Sequence, residues 1–531
     1  MRDNLRLAIE NVCQFGDTDV FPFPIENRLL FDMPDDVLAL LLQLHANFDT
    51  FLNDYPVSFE NALTAVGYVG FRWATQIDPV WNAYLLGLVL ALGPEIEAAR
   101  IPISRQMVYS YRFAPDPKAK SLFDKTIGWA AFHQRSIELS QDASHVLVCD
   151  ISDFYPRIYH HRLENALKKA SANSEPISRI MKVLGRISGG VSYGLPVGGP
   201  AARLLAELLL NRVDRLLLAA QVNFTRFVDD YHIFASSREE AYGHLVLLNQ
   251  KLLDNEGLQL QKTKTQILTS EEFAKTSQFA IRTEGADIAD EQRRFLALHI
   301  YYDPYSPTAD QDYAALKSEL TKFDVVGMLS RELAKSRIHR SLTNKLIDAI
   351  RHIDDVRRDV ALRSLLANLD VLYPVFPNVM LLVRATLESI GADTRALAFE
   401  RIRNLIKTGS YIIRVPVNLA YAIRVLAHDL SDECDELLAR LYLEHPSMIL
   451  RRDIILAMAK RDSDYWLSDL RRTFQAMPEW ERRAMIVASY TLGDEGDHWR
   501  GSVKNQISAM GRLLMKWAAE KKNAGKWDIP L

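Results

Sequence analysis

Apolar and polar positions alternate in two different rhythms along this chain. The first half mixes short apolar runs with amphipathic stretches, whereas helical spacing alone carries the second. Leu5, Leu7, Ile9 and Val12 predict a short first helix. Pro34-Asp35-Asp36 opens an apolar helix through Leu44, with the proline and acids that first turns prefer. The run from Ala83 to Leu92 is closed by Gly93-Pro94; it reads as a buried helix and is too short to span a bilayer. Residues 1 to 100 therefore read as mostly helical, with Trp73, Trp81 and Tyr84 assigned to the core. His145 to Asp150 reads as a strand ending in an acid. Gly189 to Pro200 is a glycine-rich loop before a helix over Ala201–Leu218, whose Leu204, Leu205, Leu208, Leu209, Val213, Leu216 and Leu217 recur at helical spacing. Phe224 to Phe234 reads as two buried strands around Asp229-Asp230, a tight hairpin with carboxylates at its tip. Arg238 to Leu253 is helical and ends before Gly257; Leu258 to Leu268 has a strand-like frame.

Tyr301 to Pro307 reads as a linker. Beyond it come only helices. The apolar segments Ala422–Leu430, Ile454–Arg461 and Met485–Leu492 recur roughly every 30 residues, with Arg451-Arg452 and Arg482-Arg483 at matching places. This pattern fits a HEAT-like α-solenoid, with an irregular helical bundle as the alternative. The expected fold class is α+β followed by all-α, with domains at 1–300 and 301–531.

Composition changes this picture little. The 531 residues exceed one typical domain, and 48% hydrophobic with 25% charged residues is ordinary for a globular chain. A net charge of -3 excludes a global basic field, so nucleic acid would have to be held by a local patch or a metal. Three scattered cysteines show neither a disulfide framework nor zinc-ligand spacing. The opening Met1-Arg2-Asp3-Asn4 leads into a mixed polar helix rather than a secretory leader, and no membrane association is expected.

The chemistry concentrates at Asp229-Asp230. Two carboxylates flanked by buried strands repel one another and resist desolvation, and a divalent cation with a taste for oxygen ligands relieves both; the alternative reading is a polar hairpin tip that is merely acidic. Asp150, at the carboxyl end of its strand, is the candidate third ligand. Residues 101 to 145 interleave Arg105, Arg112, Lys118, Lys120, Lys125 and Arg135 with six aromatics, a pattern open to two readings. One is a phosphate- and base-binding surface, with Arg112 as a nucleotide contact; the other is a solvated loop over core aromatics. The Gly-Pro loop can bring backbone close to a ligand, but on its own says little. Lys262 and Lys264 lie in the strand-like frame, where a lysine can meet a triphosphate or give a proton to pyrophosphate, or simply face solvent from an edge strand.

These stretches resemble a known set. Val148-Cys149-Asp150-Ile151-Ser152-Asp153-Phe154-Tyr155 is similar to motif A of reverse transcriptases, Gly194-Leu195-Pro196-Val197-Gly198-Gly199-Pro200-Ala201 to motif B, Phe227-Val228-Asp229-Asp230 to motif C and Gly257–Thr265 to motif D, with Arg294-Phe295-Leu296 in the place of motif E. The resemblance implies a fingers and palm domain over the first 300 residues. It implies catalysis by Asp150, Asp229 and Asp230, with two Mg²⁺ (or Mn²⁺) held by these residues and the Ile151 carbonyl. Lys264 is the candidate general acid. Nucleotide contacts fall to Phe154, Tyr155, Pro196 and Gly198, with Tyr155 favouring deoxynucleotides. A finer resemblance is to the abortive-infection (Abi) reverse transcriptases of bacterial phage defence, of the type carried by P2-like prophages. It implies a cytoplasmic bacterial enzyme that makes DNA from dNTPs without a template, primed by a protein hydroxyl. The product would be single-stranded DNA covalently attached to the protein, and the assembly a homo-oligomer, a trimer or hexamer. Two departures from retroelement enzymes stand out: Val197 replaces the usual glutamine, and Phe-Val precedes the Asp pair. A primer- and template-dependent reverse transcriptase and a catalytically silent palm used as a nucleic-acid scaffold are the competing readings. None of the 20 tyrosines is singled out as primer.

Overall fold

The computed structural model describes residues 1–275, 290–298, 309–529 and 531. The chain forms two compact units: Met1–Asp19, Phe23–Asn61 and Ala74–Ile281 make the first, and Val20–Pro22, Ala62–Trp73 and Arg282–Leu531 the second. The domain boundary expected at 300 and the linker Tyr301–Pro307 fall outside the described residues.

The first unit begins with helices α1 (Arg2–Phe15), α2 (Glu26–Asp32), α3 (Pro34–Ala46) and α4 (Phe48–Asp54). Next in the chain is a hairpin, β1 (Phe59–Val66) and β2 (Gly70–Ile77), within the stretch expected to be helical; its residues Ala62–Trp73 are counted in the second unit. Its alternation of Thr64 and Val66, then Phe71, Trp73 and Thr75, suits strands, and Gly67 supplies a φ of 72° at the turn. The expectation that Trp73 serves the core is corrected: it is 54% exposed, while Trp81 and Tyr84 are fully buried. Those two lie on α5 (Pro79–Ala91), buried on every side because its sequence offers no polar face; the Asp78 carboxylate caps it by accepting from the Val80 N–H at 3.0 Å. Then come α6 (Gly93–Ala99), the short hairpin β3 (Phe113–Asp116) and β4 (Ser121–Phe123), and α7 (Trp129–Gln141).

The functional half of this unit is β5 (His145–Asp150), α8 (Phe154–Arg157), α9 (His160–Ala170), α10 (Ser174–Ile187), α11 (Pro200–Ala219), β6 (Asn223–Phe227), β7 (Asp230–Ala235), α12 (Arg238–Glu256) and β8 (Gln266–Thr269). The four strands form one antiparallel sheet in the order β6-β7-β5-β8. The strand-like frame expected over Leu258–Leu268 is a strand only from Gln266; the preceding residues form a bridge and a turn.

The second unit is helical. Phe376–Thr386, Pro416–Leu426, Met448–Lys460, Glu479–Ala488 and Ala509–Asn523 pack each against the next, and Val325–Leu333, Asp355–Ala367 and Ala392–Lys407 do the same. The matched arginine pairs have matched jobs. Arg451 and Arg482 donate to carbonyls of the preceding turn, at Tyr442 and His445 and at Phe474 and Gln475, and each lies over an aromatic ring there. Arg452 and Arg483 are buried and pair with Asp453 and Glu479. Tyr68 also belongs to this unit; its hydroxyl donates to the Val371 carbonyl at 2.9 Å and accepts from the Ile338 N–H at 2.8 Å. Arg294-Phe295-Leu296, expected as motif E, lies on the helix Asp290–Ala297. Among the described residues, no helix is long and apolar enough to cross a membrane.

Candidate active site

The β6–β7 hairpin turns through two residues, Val228 and Asp229, and returns at Asp230. Antiparallel register puts Asp150, the last residue of β5, opposite Asp230. Cross-strand partners present their side chains on one face, and the turn adds Asp229 beside them. Oxygens of Asp150, Asp229 and Asp230 lie within 4.8 Å of one another. The Ile151 N–H donates to the Asp229 carbonyl at 3.1 Å, tying the two chain segments together. The segment after α12 is stitched to the same place: Gln261 N–H donates to the Asp150 carbonyl at 2.7 Å and Ser152 N–H to the Gln259 carbonyl at 2.8 Å. That stitch brings Lys264 Nζ to 3.0 Å from Asp150 Oδ2.

The electrostatics follow from crowding. Burial, then the charge of Asp150, pushes the Asp229 carboxyl up to about 6. Burial, then Asp229 and Asp150, pushes Asp230 up to about 7. Burial lowers the Lys264 ammonium, but its hydrogen bond to Asp150 and the three carboxylate charges outweigh this and raise it. Three carboxylates crowded together, with one exposed ammonium at their edge, suit a hard divalent cation. The cluster is a candidate site for one.

The turn itself is strained. Val228 has φ 55°, a region that β-branched residues avoid at a cost of about 1–2 kcal/mol. The fully buried Arg226 holds it: Nη1 donates to the Val228 carbonyl at 2.7 Å. The other guanidinium N–H groups go to Asp214 and Glu207 on α11, at 2.7 to 3.2 Å. Arg100 and Ser110 also donate to Glu207, and Tyr231 to Asp214. Breaking one such buried pair costs about 3–5 kcal/mol.

Beside the turn lies a cavity of about 410 Å³, lined among others by Tyr111, Phe123, Lys125, Gly198, Arg203 and Phe227. Tyr111 has φ 44°; its ring packs on Phe123 and Phe227, and the Arg203 guanidinium sits 5.1 Å from its centroid. Arg203 also pairs with Asp19 at 3.0 Å. Gly198, at φ 121°, packs so closely on Thr18 that a Cβ would run into its hydroxyl. Leu195 N–H donates to the Tyr155 carbonyl at 2.9 Å, joining the glycine-rich loop to the segment after β5.

Residues 103–300 match the family model for reverse transcriptase (RNA-dependent DNA polymerase). The chain therefore carries a reverse-transcriptase domain over these residues, the class of domain that transfers nucleotides. A comparison with curated proteins found no match. Among solved structures, telomerase from Candida albicans, in complex with a TWJ fragment of telomeric RNA, aligns over 71% of this chain and 70% of its own, with 10% identity and a TM-score of 0.28. Apo telomerase from Candida tropicalis aligns over 77% and 73%, with 10% identity and a TM-score of 0.31.

Within the reverse-transcriptase domain, the structure brings Asp150, Asp229, Asp230, Ile151 and Lys264 together. Burial raises the Tyr155 phenol well above its ordinary range, and Gly198 lines the cavity. Phe154 and Pro196 are buried beneath. Arg112 does not reach the cavity: it is 1% exposed and pairs with Glu97 at 2.5 Å and with the Ile101 carbonyl, so the phosphate contact read from its charge becomes a framework ion pair. Sequence reasoning missed Arg203, Arg226, Glu207 and Asp214. One signal was available for the last two: acids at i and i+7 on the leucine-striped, hence buried, face of α11 are expected to meet cations.

Proposed function

We propose that the chain is a phage-defence DNA polymerase of the abortive-infection reverse-transcriptase type, most like that of P2-like prophages. It adds dNTPs without a template, starting from a hydroxyl of the protein itself. The observation that carries nucleotidyl transfer is the cluster of Asp150, Asp229 and Asp230 with Lys264 at its edge. Asp150, Asp229, Asp230 and the Ile151 carbonyl would hold Mg²⁺ or Mn²⁺, whose charge makes the attacking hydroxyl more acidic and offsets that of the departing pyrophosphate. The hydroxyl oxygen bonds to the α-phosphorus, the bond to the bridging oxygen breaks, and pyrophosphate leaves. Lys264 is suited to give that pyrophosphate a proton while the hydroxyl's proton passes to water. Tyr155 is the residue that would bar a 2′-hydroxyl.

Untemplated synthesis is supported by Val197 in place of the glutamine that templated enzymes usually carry. The stacked helices of the second unit are read as HEAT-like repeats, and the assembly as a cytoplasmic trimer or hexamer bearing a covalent single-stranded DNA. The family match itself favours a second reading, a template-directed enzyme.

A denaturing gel of the protein with Mg²⁺ and labelled dNTPs, with and without primer–template, separates the two. Label that migrates with the protein without added nucleic acid, is sensitive to protease and nuclease, and is lost in Asp229→Ala supports self-primed synthesis. Label only with primer–template, in a product that copies the template, supports the second reading.

A further inference from the structure

Asp229 lies between two peptide groups that are both held from outside the turn. Its own carbonyl accepts from Ile151 N–H at 3.1 Å, and the carbonyl before it, that of Val228, accepts from Arg226 Nη1 at 2.7 Å. We propose that Arg226 is a positioning residue: by holding the Val228 carbonyl it keeps the turn in its strained form and aims Asp229 at Asp150 and Asp230. This rests on the polymerase function proposed above.

The guanidinium has the donors for the task and none to spare. Nε goes to Asp214, Nη2 to Asp214 and Glu207, and Nη1 to Glu207 and Val228. The two carboxylates fix the plane of the fork, and the last N–H is thereby directed at the turn. The backbone of Arg226 is held as well: its N–H donates to the Met107 carbonyl at 2.7 Å, and its carbonyl accepts from Tyr109 N–H at 2.9 Å. Val228 at φ 55° makes the hold necessary, because a β-branched residue left alone relaxes out of that region. A lysine keeps the charge but cannot fill three directions from a fixed plane.

The test measures Mn²⁺ binding to the full-length chain by electron paramagnetic resonance, together with kcat and KM for dNTP. It compares wild type, Arg226→Lys, Val228→Gly and the double variant. Expected for Arg226→Lys, with an unchanged far-ultraviolet circular dichroism spectrum, is Mn²⁺ affinity and kcat each lower by about tenfold or more, with KM within about threefold. Glycine adopts φ 55° unaided, so in the Val228→Gly background the same lysine substitution is expected to cost no more than about threefold. If Arg226→Lys does not fold, Glu207→Gln, which leaves the guanidinium but loosens its fork, is put through the same comparison with the same expectation. Affinity and kcat close to wild type in the lysine variant, or an equal loss in both backgrounds, would overturn the positioning role and leave the polymerase reading intact. Wild-type protein whose Mn²⁺ binding is absent, or survives Asp229→Ala, overturns the polymerase reading and the positioning role with it.

Discussion

Asp229 and Asp230 sit where their surroundings favour the protonated form, and that has a measurable sign. Their carboxyls titrate near 6 and 7 in the folded chain, against about 4 for an unfolded aspartate. Between those values the folded state binds more protons than the unfolded one, so metal-free stability falls as pH rises through that window. A cation among the carboxylates reverses the preference. In chelator the thermal midpoint of wild type is expected to drop from pH 5 to pH 8 more than that of Asp229→Asn/Asp230→Asn, and Mg²⁺ is expected to raise it more at pH 8 than at pH 5.5. Parallel curves for the two proteins in thermal scans would remove the carboxylates as the cause. His133 behaves in the opposite sense. Burial pushes it down to about 4, and among the described residues neither ring nitrogen has a hydrogen-bond partner. Its contribution is whole above the ordinary histidine range and is lost as pH falls toward 4. His133→Phe keeps the edge-on ring contacts with Trp129 and Phe132, so its thermal midpoint is expected to pull ahead of wild type progressively from pH 7 to pH 4.5.

At the scale of elements, two glycines separate backbone strain from close approach. Gly257 ends α12 at φ 69°, with Gly257 N–H to the Leu253 carbonyl and Leu258 N–H to the Leu252 carbonyl, and open space where a Cβ would stand. Gly257→Ala therefore meets only the backbone penalty, about 1 kcal/mol, and in thermal unfolding is expected to lower the midpoint slightly with incorporation per folded molecule retained. Gly198 combines φ 121° with the Thr18 contact. Gly198→Ala meets both the strained φ and the Thr18 side chain, so dNTP incorporation in the gel assay is expected to fall by about tenfold or more, equivalent to about 1.4 kcal/mol. Unchanged incorporation would mean that this contact has no part in the reaction. The hairpin β6–β7 was legible as an element because apolar, β-branched and aromatic residues flank the two acids. The hairpin β1–β2 was not, because its strands carry exposed apolar residues, Val66 and Trp73 among them, whose alternation marks no buried face.

For the molecule as a whole, the repeated arginines show how the helical unit is held. Two of its helices, Met448–Lys460 and Glu479–Ala488, each send one guanidinium back to the preceding turn and bury the next against a carboxylate, so neighbouring helices are tied in the same way. Tyr68, far away in sequence, belongs to the same unit. Tyr68→Phe removes the donor to Val371 and the acceptor for Ile338 N–H while keeping the ring against Tyr373. An unpaired buried group of this kind costs about 1–3 kcal/mol. A lowered midpoint for the helical unit, read by calorimetry, is the expected result; an unchanged midpoint would show that water replaces the hydroxyl.

What the sequence determined by itself is what local rules govern. Period and apolar runs announce the long helices and the strands β5, β6 and β7. Like charges between buried strands announce a candidate cation site at Asp229 and Asp230. Gly257 announces its helix end. Tertiary structure alone decided which distant residues meet. Register put Asp150 opposite Asp230, a backbone stitch carried Lys264 to Asp150, and α11 offered Glu207 and Asp214 to Arg226. Arg112 looked like a surface cation until Glu97 stood beside it. Burial and pairing of a charge depend on partners that the local sequence does not name, so its role follows from the fold and not from its neighbours in the chain.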